Sequence, residues 1–497
     1  MAYDTLSQLI EFSQAGRVEI ADTDFRLMEL SYSTLSDALR AGREVYGVTS
    51  GFGPLYGFRA NPDAERQGLG LICHLANGQG PPLNVDDTRL MILLRLSSMR
   101  RGFSGVSRAE WEAVRALYKA GFVPVVPSLG SLSASGDLTP LAHAALAMSG
   151  QGEAWVANGG GFSPEAASTV LDRSGLRPLA WTARSALAFV NGTSASLAIA
   201  ISNHISLARL VRVGSMLTGA VGSLLGSTTD PYEMTVAKAR STTPGQTLVS
   251  SWILDEFDGR TASADARVLQ EPYSLRCAPQ ILGAVADQLG TQAPLLLAEA
   301  NGCSDNPVIA PDGIFHAGNF HAATVGLISD LHAILIHQVA FLAERQIALL
   351  IDPRFNGAEN VLLAVRPGES SGVAGVQLTA SSLTALIRQQ CLPATSTALP
   401  TNFGNQDIVP MSLNAALARR VQVDSAWLVL GSLAVTINQY QHLTGRRHAS
   451  SLFEYLRLLS PVIDTDRSMS SEVRSSAEAL EKFSSGDPWV ESLGGSR

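Results

Sequence analysis

Three long apolar segments limit what this chain can fold into. Gln280–Ala300, Ala322–Leu350 and Leu413–Leu443 each carry apolar residues at i, i+3, i+4 and i+7. In the second, Val325, Ile328, Leu331, Leu335, Val339 and Leu342 fall on one face of a helix. Strands would need period-two alternation, and none is present. Helices this long and this poor in charge must be apolar on more than one side. They therefore predict a mainly α fold built on a long-helix bundle.

The rest of the chain is expected to be a smaller part attached to that bundle. At 497 residues the chain is longer than one compact core usually holds, so two or three subdomains, or one long helical body with a smaller cap, are expected, with the division placed at 1–190 and 191–497. The first sixty residues read as a short α/β or irregular cap, with Val18–Ile20 as a strand and Ser33–Ala41 as a short helix. Helical spacing returns from Thr88 to about Tyr118. Gly159–Gly161 predicts a surface loop, and the last fifteen residues, rich in Ser and Gly, are expected to fray. The apolar windows near Val213–Ser227 and Ala426–Ile437 are interrupted by Gly, Ser and Thr, which predicts buried helices and not membrane spans.

Charge narrows the function. The net charge is −8, and the Lys and Arg residues are scattered, so no nucleic-acid partner is expected. Charged residues make up only 16%, below the usual quarter, which points to surface hidden between subunits. Cys73, Cys277, Cys303 and Cys391 form no CxxC pair, and the N-terminus has no basic region leading into an apolar stretch. A cytoplasmic protein is expected. There is no Walker A sequence, HExxH or GxSxG, and Gly51-Phe52-Gly53 does not complete a dinucleotide fingerprint. His316 and His321 read as polar residues beside a pocket, with no metal expected.

The sharpest local feature is Gly130–His143, which contains Ala134-Ser135-Gly136. Gly136 lacks a Cβ, so its nitrogen can approach the Ala134 carbonyl in a tight bend. Ring closure with dehydration of Ser135 would give an imidazolone with an exocyclic methylene, a strong electrophile. An ordinary Gly/Ser loop before a helix capped by Asp137 is the other reading, and the tripeptide alone does not decide between them.

The wider pattern resembles the aromatic amino acid ammonia-lyases and 2,3-aminomutases that use the 4-methylideneimidazol-5-one (MIO) group. The resembling blocks are Tyr46–Gly53, Gly130–His143, Asn191–Ser194, Tyr273–Gln280, Asp305–Pro307, Gly318–His321, Leu342–Gln346 and Asn405–Asp407, in the family's order. The resemblance implies a mostly helical homotetramer with active sites shared between subunits, a smaller N-terminal part bearing the MIO loop, and no external cofactor. Ala134, Ser135 and Gly136 match the cyclising tripeptide, and Tyr46 matches the base that takes the substrate's β-proton. A phenol with an ordinary pKa near ~10 needs a site that favours phenolate, so positive charge or helix N-termini are expected beside it. Arg276 matches the carboxylate-binding arginine, whose planar fork suits a bidentate carboxylate. Asn191 and Tyr273 match polar residues beside the electrophile and the substrate amine, and Phe320 matches a ring packed under the imidazolone.

The resemblance also bears on the substrate, an aromatic amino acid. Histidine-specific members place Glu where this chain has Gln406, so a carbocyclic or phenolic ring is implied. His74 and Leu75 align with the selectivity positions, and bacterial tyrosine lyases carry a similar His-Leu-Ala-Ser-Gly run. An imidazole there can bond a para hydroxyl, and a buried His left unpaired would disfavour phenylalanine. Gly53, Leu138, Ala374, Asn402 and Asn405 complete the implied substrate-binding set. Departures from the family pattern include Ser371–Gln377, where Val373 and Ala374 imply extra room at the ring end, Leu386 in place of a usual Glu, Arg240–Gln246, and Phe320–Thr324. L-Tyrosine is the expected substrate and 4-hydroxycinnamate the expected product. An aminomutase giving a β-amino acid shares every residue named, and a non-catalytic helical scaffold would need none of them.

Overall fold

The structure is a computed structural model and describes residues 2–240, 243–259, 261–262 and 265–495. Ser241 and Thr242, within the departing Arg240–Gln246 block, lie outside the described residues. The N-terminal helices are α1 (Leu6–Gln14), α2 (Asp22–Arg40), α3 (Ala64–Leu75), α4 (Val85–Met99), α5 (Arg108–Lys119), α6 (Leu138–Met148), α7 (Ala167–Arg173) and α8 (Ala183–Val190). Then come α9 (Ser194–Leu225), α10 (Met234–Arg240), α11 (Pro244–Leu254), the single turn α12 (Tyr273–Arg276), α13 (Ala278–Asn301) and α14 (Ala323–Ile351). The chain closes with α15 (Pro353–Asn356), α16 (Ala374–Gln389), α17 (Ser412–Thr444), α18 (Ser451–Leu459), α19 (Ser470–Phe483) and α20 (Pro488–Glu491).

The fold is mainly α, and the three segments with helical spacing are α13, α14 and α17. These pack with α9 into a bundle whose members are buried on several sides, as their low charge requires. By length and composition, Ala183–Leu225, Ala323–Ile351 and Ser412–Thr444 could each cross a membrane, but 94%, 67% and 83% of their apolar windows are buried within the molecule. One contiguous apolar cluster runs from Leu6 and Leu9 of α1 through α4 and α9 to Leu433 of α17. Strands occur as antiparallel pairs, among them Glu153–Asn158 with Gly161–Ala166, and the three glycines sit at the turn of that hairpin.

Two expectations at the termini fail. Val18–Ile20 is not a strand: no neighbouring backbone edge pairs with it, and α2 runs from Asp22, so Ser33–Ala41 is only the end of a longer helix. The tail does not fray through its described part either. Val490 and Leu493 are buried, and Leu6 donates its backbone N–H to the Leu493 carbonyl at 3.1 Å, docking the tail on α1. Apolar residues spaced within a Ser/Gly-rich stretch outweighed its composition.

Candidate active site

The Ala134-Ser135-Gly136 loop is bent tightly just before α6, with Ala134 and Gly136 bridged across Ser135. Gly136 has φ +71°, and a Cβ there would collide with the Gly192 carbonyl, so only glycine fits. Asn191 Nδ2 donates to the Ser135 carbonyl oxygen at 2.7 Å. Gln406 Nε2 donates to Ser135 Oγ at 2.8 Å. The Ser135 hydroxyl that would leave in a dehydrating cyclisation, and the Ser135 carbonyl oxygen that would remain on the ring, are therefore both held by side-chain amides.

Asp137 is not the side-chain cap of α6 that the sequence suggests. It precedes α6, but its carboxylate makes no bond to that helix's N-terminus. Instead it accepts from Ser196 N at 2.7 Å and Ser196 Oγ at 2.9 Å, capping α9, and from Ser133 Oγ at 2.6 Å. Burial pushes its carboxyl up, and these hydrogen bonds pull it back down.

Ser135 opens onto a cavity of ≈ 710 Å³. Tyr46, Gly53, His74, Leu75, Leu138, Asn191, Phe320, Asn402, Asn405 and Gln406 all line it with Ser135, so most of the predicted site residues are brought together. His316 lines it too, its Nε2 accepting from the Tyr46 backbone N–H at 3.2 Å. Among the described residues, no group of three or more His, Cys, Asp or Glu is placed to hold a metal.

The surroundings of Tyr46 meet the expectation in part, since Gly53 opens the one-turn 3-10 helix Gly53–Leu55. The Tyr46 hydroxyl accepts from Gly53 N at 2.7 Å, and its ring meets Phe52 edge-on with centroids 6.4 Å apart. Burial pushes the phenol up and the Gly53 hydrogen bond pulls it down. The expected positive charge is not among the groups shifting it; one backbone N–H acts in that direction instead. His74 is also exposed in the single chain, not buried. Its Nδ1 lies 3.2 Å from the Gly70 carbonyl, one turn back on α3. A bond there makes Nδ1 the donor and leaves Nε2 as an acceptor in the neutral ring. The adjoining segment is tied to α6, since Gly78 N donates to His143 Nε2 at 2.9 Å.

Three predicted residues stand apart from this cavity. Tyr273 is exposed on α12, and the Arg276 guanidinium lies 4.7 Å from its ring centroid. Ala374 lines a separate cavity of ≈ 590 Å³ with Leu378, Leu428 and Arg467. Val373 is core, so the room inferred from Val373 and Ala374 does not enlarge the cavity at Ser135 within one chain. Sequence reasoning missed Glu44, Leu71 and Leu187 in the cavity wall. It also missed the support beneath α12. Buried Gln346 donates to the Ser274 carbonyl at 2.9 Å and Thr218 Oγ1 at 2.8 Å, and Tyr232 donates to the Leu275 carbonyl at 3.2 Å. A glutamine interrupting the apolar face of α14 was the available signal.

The profile of the aromatic amino acid lyase family matches residues 5–458. The chain is 34% identical over 495 residues to a tyrosine ammonia-lyase of Cereibacter sphaeroides, covering 94% of each chain. It is also 34% identical over 486 residues to a histidine ammonia-lyase of Aromatoleum aromaticum, covering 95% of this chain and 90% of that one. Among solved structures, a tyrosine aminomutase from Streptomyces globisporus superposes with a TM-score of 0.90 at 26% identity, covering 97% and 96% of the two chains. A phenylalanine aminomutase of Pantoea agglomerans gives 0.88 at 27% identity, covering 96% and 98%.

Proposed function

Because the chain belongs to the aromatic amino acid lyase family, we propose that it eliminates ammonia from L-tyrosine to give 4-hydroxycinnamate. The observation that carries this reading is that Ser135, inside a bend only glycine permits, shares one cavity with Tyr46 and His74. The loop fits the MIO group: Gly136 has no Cβ to obstruct the bend, and Asn191 already donates to the Ser135 carbonyl oxygen. Ala134, Ser135 and Gly136 would form the group, and Asn191 would hold its carbonyl. When formed, it supplies an electrophilic carbon that turns the substrate's amine into a leaving group.

The chain's own residues do the remaining work. Tyr46, as phenolate, takes the β-proton. Its bond from Gly53 N favours that anion and fixes the direction of the oxygen. His74 Nε2 is free to accept the para hydroxyl of the ring once Nδ1 donates to Gly70. Leu75, Leu138 and Phe320 supply apolar walls, and Gly53, Asn402 and Asn405 supply polar edges.

Arg276 would take the carboxylate and Tyr273 would stand beside the amine, yet both lie outside this cavity. A second copy of the chain would bring them, with Ala374, to complete the site. Support for a homotetramer comes from the surface: Leu327, Ile334 and Phe341, spaced seven apart on α14, are all exposed. In this reading residues 1–190 carry the reactive loop and the base, 191–497 form the bundle, and the enzyme acts in the cytoplasm on a small-molecule substrate.

A 2,3-aminomutase is the second reading, favoured by the two aminomutase structures that superpose on this chain. Incubation with L-tyrosine, L-phenylalanine and L-histidine, with analysis for both α,β-unsaturated acids and β-amino acids, tests the proposal. 4-Hydroxycinnamate from tyrosine supports it. A β-amino acid as main product favours the mutase, an imidazole product moves the substrate to histidine, and no product from any of the three favours a scaffold.

A further inference from the structure

Arg95, on α4, is fully buried and meets only neutral acceptors. Its Nη1 donates to the Asn191 carbonyl at 3.3 Å and Ser304 Oγ at 3.5 Å, and its Nη2 donates to Ser98 Oγ at 3.0 Å. The neighbouring carboxylate, Asp305, acts on the guanidinium without touching it and is hydrogen-bonded elsewhere. It accepts from Arg184 Nη2 at 2.8 Å and from the Asn306 amide at 2.7 Å. Cys303 does not neutralise the guanidinium either, because burial pushes its thiol up. Arginine keeps its proton in such places. Core charge without a close counter-ion is costly, and a chain that retains it needs a return.

The guanidinium lies against the Asn191–Gly192 segment. A Cβ on Gly192 would collide with Arg95 Nη1, so backbone rests directly on the cation. The same two residues meet the reactive loop. Asn191 Nδ2 donates to the Ser135 carbonyl at 2.7 Å, and Gly192 O accepts from Asp137 N at 2.7 Å. A short segment thus bridges a buried positive charge and the loop.

We propose that Arg95 is a positioning residue for maturation of the Ala134-Ser135-Gly136 loop, holding Asn191–Gly192 against it and favouring negative charge on the Ser135 oxygen. The inference rests on the reading that this loop cyclises. In that reaction the Gly136 nitrogen bonds to the Ala134 carbonyl carbon and its proton passes to the Ala134 oxygen. The resulting hydroxyl leaves with the Ser135 amide proton as one water. The Ser135 Cα proton and Oγ hydroxyl leave as a second, so no oxidant is needed. Losing the Cα proton gathers charge on the Ser135 carbonyl oxygen, the atom Asn191 contacts.

The test follows intact mass with time after cell-free synthesis, with thermal melting of each chain alongside. The wild-type chain should become lighter by two waters. Arg95→Met, which removes the charge, should do so roughly tenfold more slowly or worse, and Arg95→Lys should fall between them. Ser304→Asp provides a second route, placing a carboxylate beside Nη1 and neutralising the charge without altering Arg95; it should also slow the loss. Folded Arg95→Met and Ser304→Asp chains that both lose two waters at the wild-type rate would overturn the proposal. If Arg95→Met does not fold, Ser304→Asp decides alone, slow loss supporting and unchanged loss refuting. A wild-type chain that keeps both waters would instead overturn the proposed function itself.

Discussion

The amide nitrogen of Gly53 lies 2.7 Å from the phenolic oxygen of Tyr46 and donates a hydrogen bond to it. This favours phenolate, while burial, the larger effect, favours the neutral phenol. Tyr46 therefore titrates above its ordinary value, and the phenolate that the proposed reaction needs is scarce at neutral pH. The kcat/KM should rise with pH on the alkaline side of neutrality, approaching tenfold per unit while the phenol stays mostly protonated. Tyr46→Phe should lose that slope and lower kcat by roughly 10²–10⁴. A pH profile in the variant matching the wild type would place the base elsewhere, with Tyr273 the next to test.

Ser135→Ala should abolish activity without loss of fold. Alanine has no oxygen to expel, and relative to the uncyclised chain only the 2.8 Å bond from Gln406 is lost. Thermal melting should stay within about 1–2 kcal/mol of wild type, and the near-ultraviolet absorbance of the imidazolone should be missing. Residual turnover above trace would rule out an electrophile made from this serine.

His74→Phe should shift preference from tyrosine toward phenylalanine. The variant removes the acceptor for a para hydroxyl and substitutes an apolar wall. The loss is worth about 0.5–1.5 kcal/mol, or more if a polar group is left unpaired, so the ratio of the two kcat/KM values should move by roughly tenfold. Steady-state kinetics with both amino acids settle it, and an unmoved ratio removes the main support for tyrosine.

Gln346→Leu should weaken carboxylate binding from a distance. Gln346 and Tyr232 hold two successive carbonyls of the α12 turn that ends at Arg276. Freeing Ser274 should raise KM for the amino acid by several fold. Inhibition by 4-vinylphenol, which lacks the carboxylate, should hardly change, while inhibition by 4-hydroxycinnamate should weaken. Equal weakening of both would mean that the substitution disturbs the whole cavity.

The bundle was legible because α13, α14 and α17 repeat their apolar spacing over many turns, so local and global signals agree. The N-terminus was less so: three extended residues at Val18–Ile20 look like a strand until one asks what pairs with them. The described end of the tail was missed for the opposite reason, since Val490 and Leu493 are few among serines yet face α1. At the site, Ser135 and Tyr46 stood out through residue types that only a particular chemistry needs. Gln346 stood there only as the end of a resembling block, and Tyr232 and Arg95 not at all, because a buried polar residue acquires its role from groups far away in sequence. The placing of Tyr273 and Arg276 outside the cavity is a property of the folded chain that no spacing rule contains.

Asp137 and Ser133 anchor the reactive loop at both ends of the chain's later structure. Asp137 caps α9, and Ser133 Oγ accepts from Leu413 N at 3.0 Å, at the start of α17 and 280 residues downstream. A nascent chain in which Leu413 is still unmade lacks the bond that ties Ser133 to α17. If that tie is what permits cyclisation, a chain emerging from the ribosome carries an inert serine for most of its synthesis. In that case the electrophile appears only once α17 has docked, within a folded chain and not on an extended one.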